Sequence, residues 1–434
     1  MKNKEFDIVV FGATSFVGQI LCNYLVNDHT EPNLNWAMAA RSASKLEKLK
    51  DELGPAAADV TVLIADSNDE PSLQALCDKA GVIISTVGPY ALYGELLVKL
   101  CARSGTDYCD LTGEPQWIKR MISRYESAAK ASGARIVHSC GFDSIPSDLG
   151  VMFLQEHAIN KFGATCTRVK MRVKQLKGGA SGGTIASGMN MYKEASKDAA
   201  MREELKDPYS LCPANHEFTA HQHIVNCEYD KDFNSWVGSF VMAAINTRIV
   251  LRSNALCSPP YGSEFLYDEG MMTADGEKGK KAAKRLATGT KLLTLAMTMA
   301  PVRWLASRFF VPKPGEGPTP EQQKNGFYEL LFLGSIDVTN PKANDDELEQ
   351  AGLEQAELER SRPTQQIRVK VSGDRDPGYG STAKMLAQAG ISLRRDVDKG
   401  EVGGGFWTPA TVFNSKLIDR LQDHAGMTFE LLDE

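Results

Sequence analysis

The strongest constraint on this chain is an apolar run, Asp7-Ile8-Val9-Val10. It breaks into Phe11-Gly12-Ala13-Thr14-Ser15-Phe16-Val17-Gly18 and resumes as a helix-like stretch through Asn27. A buried strand, a glycine turn and a helix N-terminus in that order make a phosphate cradle, because the turn's N–H groups and the helix dipole face an anion. Gly12 permits the tight turn, and Gly18 lets the helix pack closely on the sheet. A dinucleotide suits such a cradle, with Gly12, Thr14, Ser15, Phe16, Val17 and Gly18 around it. Ser15 stands at the middle position of the glycine pattern, and its hydroxyl could donate to a phosphate.

The second strand adds the cofactor's identity. Asn35-Trp36-Ala37-Met38-Ala39-Ala40 ends in Arg41-Ser42, where an NAD-binding domain usually carries a carboxylate for the ribose hydroxyls. A guanidinium there suits a 2′-phosphate through charge-assisted hydrogen bonds, with Ser42 and Lys45 as further donors, so NADPH is expected over NADH.

Short apolar strands alternate with amphipathic helices through residue 140: Val60-Ala65, Val82-Val87, Asp107-Leu111 and Arg135-Cys140 follow the first two strands. Six strands with helical crossovers make a doubly wound parallel Rossmann sheet, with the ligand crevice at the strands' carboxyl ends. Gly12, Arg41, Asp66, Thr86-Val87-Gly88, Asp110 and Cys140-Gly141 should border it. Beyond Pro146 the alternation turns to period two in Thr167-Lys174, Phe327-Asp337 and Gln366-Val371, the mark of a sheet with one solvated face. The expected α/β architecture is an NADP-binding Rossmann domain over 1–146 and a mixed α/β substrate and dimerisation domain over 147–375. Helices over 376–434 could return to the first domain. The second domain is expected to carry helices near Thr184-Leu205 and Leu292-Phe310, a turn-rich loop at Pro312-Pro320 and a charged insertion at Asn344-Arg362.

A formal charge of -6 over 434 residues, with no dense cationic block, argues against a nucleic-acid partner. Nine scattered cysteines without a Cys-x-x-Cys pair, and no signal-like segment at Met1-Glu5, lead to the expectation of a cytoplasmic protein. The uncharged Leu292-Val302 run is too short to cross a bilayer, whose apolar core is about 30 Å thick. It reads as a buried or dimer-forming helix, with an in-plane membrane contact or an acyl-chain groove as the alternatives. His216, His221 and His223 match no tetrahedral-site spacing, so no metal is expected.

Hydride chemistry asks the protein for little beyond positioning, a proton donor and exclusion of water. Val87-Gly88-Pro89 should lie along the nicotinamide ribose, and Tyr90 or Tyr93 is then a proton-donor candidate, with packing as the alternative role. Asp110 and Asp143-Ser144 close the fifth and sixth strands, either orienting substrate or cofactor or capping the helices that follow. Asp143 is taken as a catalytic candidate, and Asp110 and Ser144 as substrate-binding ones. Ser181-Gly182-Gly183-Thr184 could supply N–H donors to a substrate carbonyl or carboxylate.

These blocks, together with Tyr93-Gly94-Glu95, Tyr108-Cys109-Asp110-Leu111-Thr112-Gly113-Glu114, Gly141-Phe142-Asp143-Ser144-Ile145-Pro146-Ser147-Asp148, Pro314-Gly315-Glu316-Gly317-Pro318 and Asp376-Pro377-Gly378-Tyr379-Gly380, resemble the saccharopine dehydrogenase-like oxidoreductases. The resemblance spans nearly the whole chain and is strongest to the bacterial branch that includes the trans-acting enoyl reductases. It implies a nicotinamide-dependent oxidoreductase whose second domain shapes the substrate site. With Arg41 and the apolar run near Leu292, the expectation is an NADPH-dependent reductase acting on an acyl or enoyl substrate and self-associating through the second domain's sheet. An opine or amino-acid dehydrogenase, with Arg168, Arg172, Arg248 and Arg252 as carboxylate partners, is an alternative, as is an NADPH-binding sensor or scaffold without turnover.

Overall fold

The computed structural model describes residues 4–29, 31–179, 182–309, 317–337 and 364–433, with backbone alone at 182–185, 305–309 and 364. Ser181, Asn344-Arg362 and the first part of the Pro312-Pro320 loop lie outside the described residues.

Two seven-stranded sheets organise the described residues. The first holds β1 (Phe6–Phe11), β2 (Trp36–Ala40), β3 (Thr61–Ile64), β4 (Ala80–Ser85), β5 (Asp107–Asp110), β6 (Arg135–Val137) and β13 (Gly405–Trp407), in the order β13-β6-β5-β4-β1-β2-β3. Every pairing in it is parallel. Helices cover both faces, so β1 and β4 read as near-continuous apolar runs, with Ile8, Val9, Val10, Ile83 and Ile84 fully buried. Phe11 pairs with both Ala39 and Ser85, and Ser85 with Asp110, which brings four strands to their carboxyl ends in one row.

The sheet has one strand more than the six expected, because Phe406-Trp407 returns from the end of the chain to pair with Ile136 and Val137. The helix Thr382–Arg395 comes back with it and packs on β1, β4 and β5. A buried guanidinium holds this junction. Arg135 donates to Asp107 Oδ2 at 2.6 and 3.2 Å and to the carbonyls of Leu393 and Val397 at 2.6 and 2.7 Å. Arg135→Met is expected to cost about 3–5 kcal/mol by leaving the Asp107 carboxylate short of its buried partner, read as a lowered urea midpoint.

The second sheet holds β7 (Arg168–Lys177), β8 (Cys227–Asp230), β9 (Ser235–Ser239), β10 (Leu266–Met272), β11 (Phe327–Asp337), β12 (Thr364–Gly373) and β14 (Met427–Leu432), ordered β14-β12-β11-β7-β10-β9-β8. Only β7 and β10 run parallel. Val169, Met171 and Val173 face the core, and the helix Ile145–Phe162 packs over β11 and β12. The opposite face is laced with ion pairs such as Lys170–Asp232 at 2.5 Å and Lys174–Glu329 at 2.8 Å, which explains the alternation in the sequence.

The segment at Leu292 is not buried, as one of the expectations had it: it is the exposed end of a longer helix, Gly276–Thr298, followed by Ala300–Phe309. Its first half packs, through Gly279, Ala283 and Ala287, onto β8 and β9, and its second half touches the helix Gly182–Lys197, leaving Leu292, Leu293 and Leu295 exposed. Among the described residues no helix is long and apolar enough to cross a membrane.

Candidate active site

The glycine turn is as tight as its sequence demands. Gly12 has φ +92°, and a Cβ there would stand 2.6 Å from the Thr86 hydroxyl; a Cβ on Gly18 would meet the Gly12 carbonyl oxygen at 2.2 Å. Gly18→Ala is therefore expected to force the helix off the turn at about 1–3 kcal/mol, seen as a lower melting temperature and loss of the shift that NADPH produces. The helix Phe16–Asn23 opens on the amides of Phe16 and Val17, which have no intrahelical acceptor and are placed for an anion.

Ser15 has another task than the phosphate contact considered from the sequence. Its Oγ accepts from Gly18 N at 3.0 Å and lies 2.9 Å from Thr86 Oγ1. Thr86 gives its own proton to the Gly12 carbonyl at 2.9 Å, so the Ser15 proton must go to Thr86. The serine thus caps the helix and ties the first turn to the loop after β4.

Arg41 follows β2 at the same edge, exposed and without a hydrogen bond or ion pair among the described residues. Ser42 caps the next helix by accepting from Lys45 N at 3.4 Å, and the Lys45 side chain is exposed beside it. Asp66 turns inward to its own loop, accepting from Asn68 N at 2.9 Å. Thr14 is half-buried, with its carbonyl taken by Gln19. The Phe16 ring is roofed by Tyr379, at 5.1 Å between centroids, and by Gly317, so two motifs distant in sequence close over the cradle.

The loop after β4 runs Thr86-Val87-Gly88-Pro89 into the one-turn helix Tyr90–Tyr93. Glu114 holds it: its two carboxylate oxygens accept from Tyr90 N at 2.9 Å and Ala91 N at 3.0 Å. Ser187, on the helix Gly182–Lys197, comes within 3.9 Å of a Cβ placed on Gly88, which brings that helix over the loop. Gly182 and Thr184 lie in its first turn. Sequence reasoning assigned no role to Glu114, nor to Ser187, Thr382, Asn246 and Glu269 (below), since each works by a contact over a long chain separation.

Tyr90 does not stand open as a donor. Its hydroxyl is buried and given to the Ser85 carbonyl at 2.9 Å, and burial pushes its pKa well above the usual value. Tyr93 is 41% exposed on the loop. Asp110 is likewise closed to substrate: fully buried, it takes hydrogen bonds from Tyr108 Oη, Thr112 N and Ser139 N and pairs with His138 Nδ1 at 2.7 Å. Ser144 is also buried. It donates to Asn246 Oδ1 at 3.1 Å, and the Asn246 amide donates on to Glu269 at 3.0 Å.

Asp143 differs from all of these. Its carboxyl is half-buried, makes no hydrogen bond or ion pair among the described residues, and sits 3.0 Å from a Cβ placed on Gly113 in the loop after β5. Desolvation alone pushes its pKa up to about 7. Both neighbours are pinned, Phe142 N donating to Thr382 Oγ1 at 2.9 Å and Ser144 bonded to Asn246. The aspartate therefore projects from a rigid turn.

The four arginines offered for substrate carboxylates are all engaged elsewhere. Arg168 pairs with Asp268, Arg172 with Asp230 and Asp268, and Arg248 and Arg252 lie on the helix Ala243–Leu256, not on strands. Arg248 donates to Ser210 Oγ and the carbonyls of Ala244 and Leu205; Arg252 donates to the carbonyls of Leu211 and Phe406.

A parallel sheet with a glycine turn at its carboxyl edge, a cation after β2 unpaired among the described residues and a second, mixed sheet define an NADP-dependent oxidoreductase built on two sheets. Residues 8–137 match the saccharopine dehydrogenase NADP binding domain. The chain is 34% identical over 438 residues to the trans-acting enoyl reductase of Mycobacterium tuberculosis, with 96% of each chain covered. A second Mycobacterium tuberculosis relative is 36% identical over 430 residues, again with 96% of each covered. Apo saccharopine dehydrogenase (L-Glu forming) from Saccharomyces cerevisiae shares the fold, at TM-score 0.52 and 12% identity over 99% of this chain and 100% of that one. The chain belongs to the saccharopine dehydrogenase-like family, in the branch of the trans-acting enoyl reductases, and it binds NADP(H).

Proposed function

We propose that this chain reduces the carbon–carbon double bond of an α,β-unsaturated acyl thioester, with Asp143 handling the proton. The observation that carries the reading is the Asp143 carboxyl, unpartnered among the described residues and desolvated at the carboxyl edge of the Rossmann sheet. The substrate class follows the printed name of the relatives. NADPH, when bound, supplies the hydride that the β-carbon takes up. The glycine turn and Arg41 hold the phosphates, and the Glu114-clamped loop at Gly88 carries the backbone along which the reacting ring lies. Charge then develops on the thioester carbonyl, where the amides opening the helix Gly182–Lys197 offer donors. Asp143 gives its proton to the α-carbon, and the covering helix keeps water out.

The test is NADPH consumption by the purified chain with short and long enoyl thioesters in heavy water, with the product analysed by mass. Thioester-dependent turnover with one solvent deuteron at the α-carbon is expected. Turnover with an imine of an amino acid and none with any enoyl thioester would sink this reading in favour of an opine-type reaction.

A further inference from the structure

We infer that the two successive helices over residues 276–304 dock on an anionic lipid surface, inserting the apolar tip at their junction among the headgroups. The tip is exposed and apolar together: Leu292, Leu293, Leu295, Met299 and Trp304 are each between 52% and 66% exposed. Apolar side chains of this size gathered at one surface mark a contact site. Along the same helix leading up to them stand the exposed cations Lys278, Lys280, Lys281, Lys284, Arg285 and Lys291. Residues 276–304 carry seven cations against one carboxylate, in a chain whose net charge is -6.

That combination selects the occupant. A two-fold contact with another copy sets basic strip against basic strip, whereas anionic headgroups neutralise the lysines and the region just below them takes leucine and tryptophan. The geometry also ties this tip to the site. Tyr192 on the helix Gly182–Lys197 lies 3.3 Å, hydroxyl to hydroxyl, from Thr294, and the same helix places Ser187 beside Gly88. A surface bound at the tip is thus one helix away from the reacting loop, where a lipid-like acyl substrate would be delivered. This last point rests on the enoyl reading; the docking itself does not.

The experiment is flotation of the full chain with vesicles of phosphatidylcholine alone and with about one third phosphatidylglycerol. Binding to the anionic vesicles only is expected. Leu292→Asp with Leu295→Asp, and separately Lys281→Glu with Lys284→Glu, should each lower partitioning roughly tenfold or more, with melting temperature and NADPH affinity unchanged. Wild type that stays unbound in both vesicles overturns the inference. So does a wild-type dimer that Leu292→Asp with Leu295→Asp dissociates, since a second copy then covers the tip. Reduction of a water-soluble enoyl thioester, measured in parallel, separates the two readings: turnover without vesicle binding overturns the docking alone, and vesicle binding without turnover overturns the enoyl reading alone.

Discussion

Replacing Asp143 by Asn is expected to lower kcat by about 10²–10⁴-fold, the usual worth of a positioned acid or base, while NADPH binding stays as it is. The side chain has no partner among the described residues, so the amide disturbs no hydrogen bond, and the loss reports on the proton alone. The pH profile gives a second check. Only the protonated carboxyl can donate, and with its pKa pushed up to about 7 it is half protonated near neutrality. Activity should hold on the acid side and fall about tenfold per unit above that value, a limb that Asp143→Asn removes. Turnover within a few fold of wild type, with the alkaline limb intact, assigns the proton to another group.

Arg41→Ala is expected to weaken NADPH by about 1.5–3 kcal/mol, roughly 10- to 150-fold in Kd, and to leave NADH nearly unchanged. The reason is geometric and electrostatic. Arg41 follows the β2 residues that run beside the glycine turn, and its guanidinium is exposed rather than spent on a neighbouring carboxylate. Fluorescence titration of both nucleotides with both proteins measures it. Equal losses for NADPH and NADH would instead mean that the substitution disturbs the turn itself.

The elements legible in the chain are those whose physics is local. The Phe11-Gly18 turn was readable because strand, positive φ and helix start occupy a few consecutive residues, and Arg41 because it sits at a known place after the next strand. Pro115–Ser132 and Phe327–Asp337 were readable from uninterrupted periodicity. β8, β9 and β10 were not. Cys227–Asp230 and Ser235–Ser239 are too short to show a period, and Leu266–Met272 mixes buried acidic and apolar residues, because Asp268 finds Arg172 and Glu269 finds Asn246 on other elements.

The candidate site divides in the same way. Residue types alone gathered Tyr90, Asp110, Asp143 and Ser144 at the strands' carboxyl ends, but they cannot say which group is left open. Tyr90 is used up by the Ser85 carbonyl and Asp110 by His138 and three other donors. Ser144 is used up by Asn246, across 102 residues of chain. The sequence by itself determined the cradle, the cofactor's extra phosphate and the two-sheet plan, since each depends on neighbours in the chain. Only the tertiary structure decided that the desolvated Asp143 carboxyl has no partner among the described residues and that Leu292 faces outward, because burial and hydrogen-bond partners are assigned by residues brought together from far along the chain.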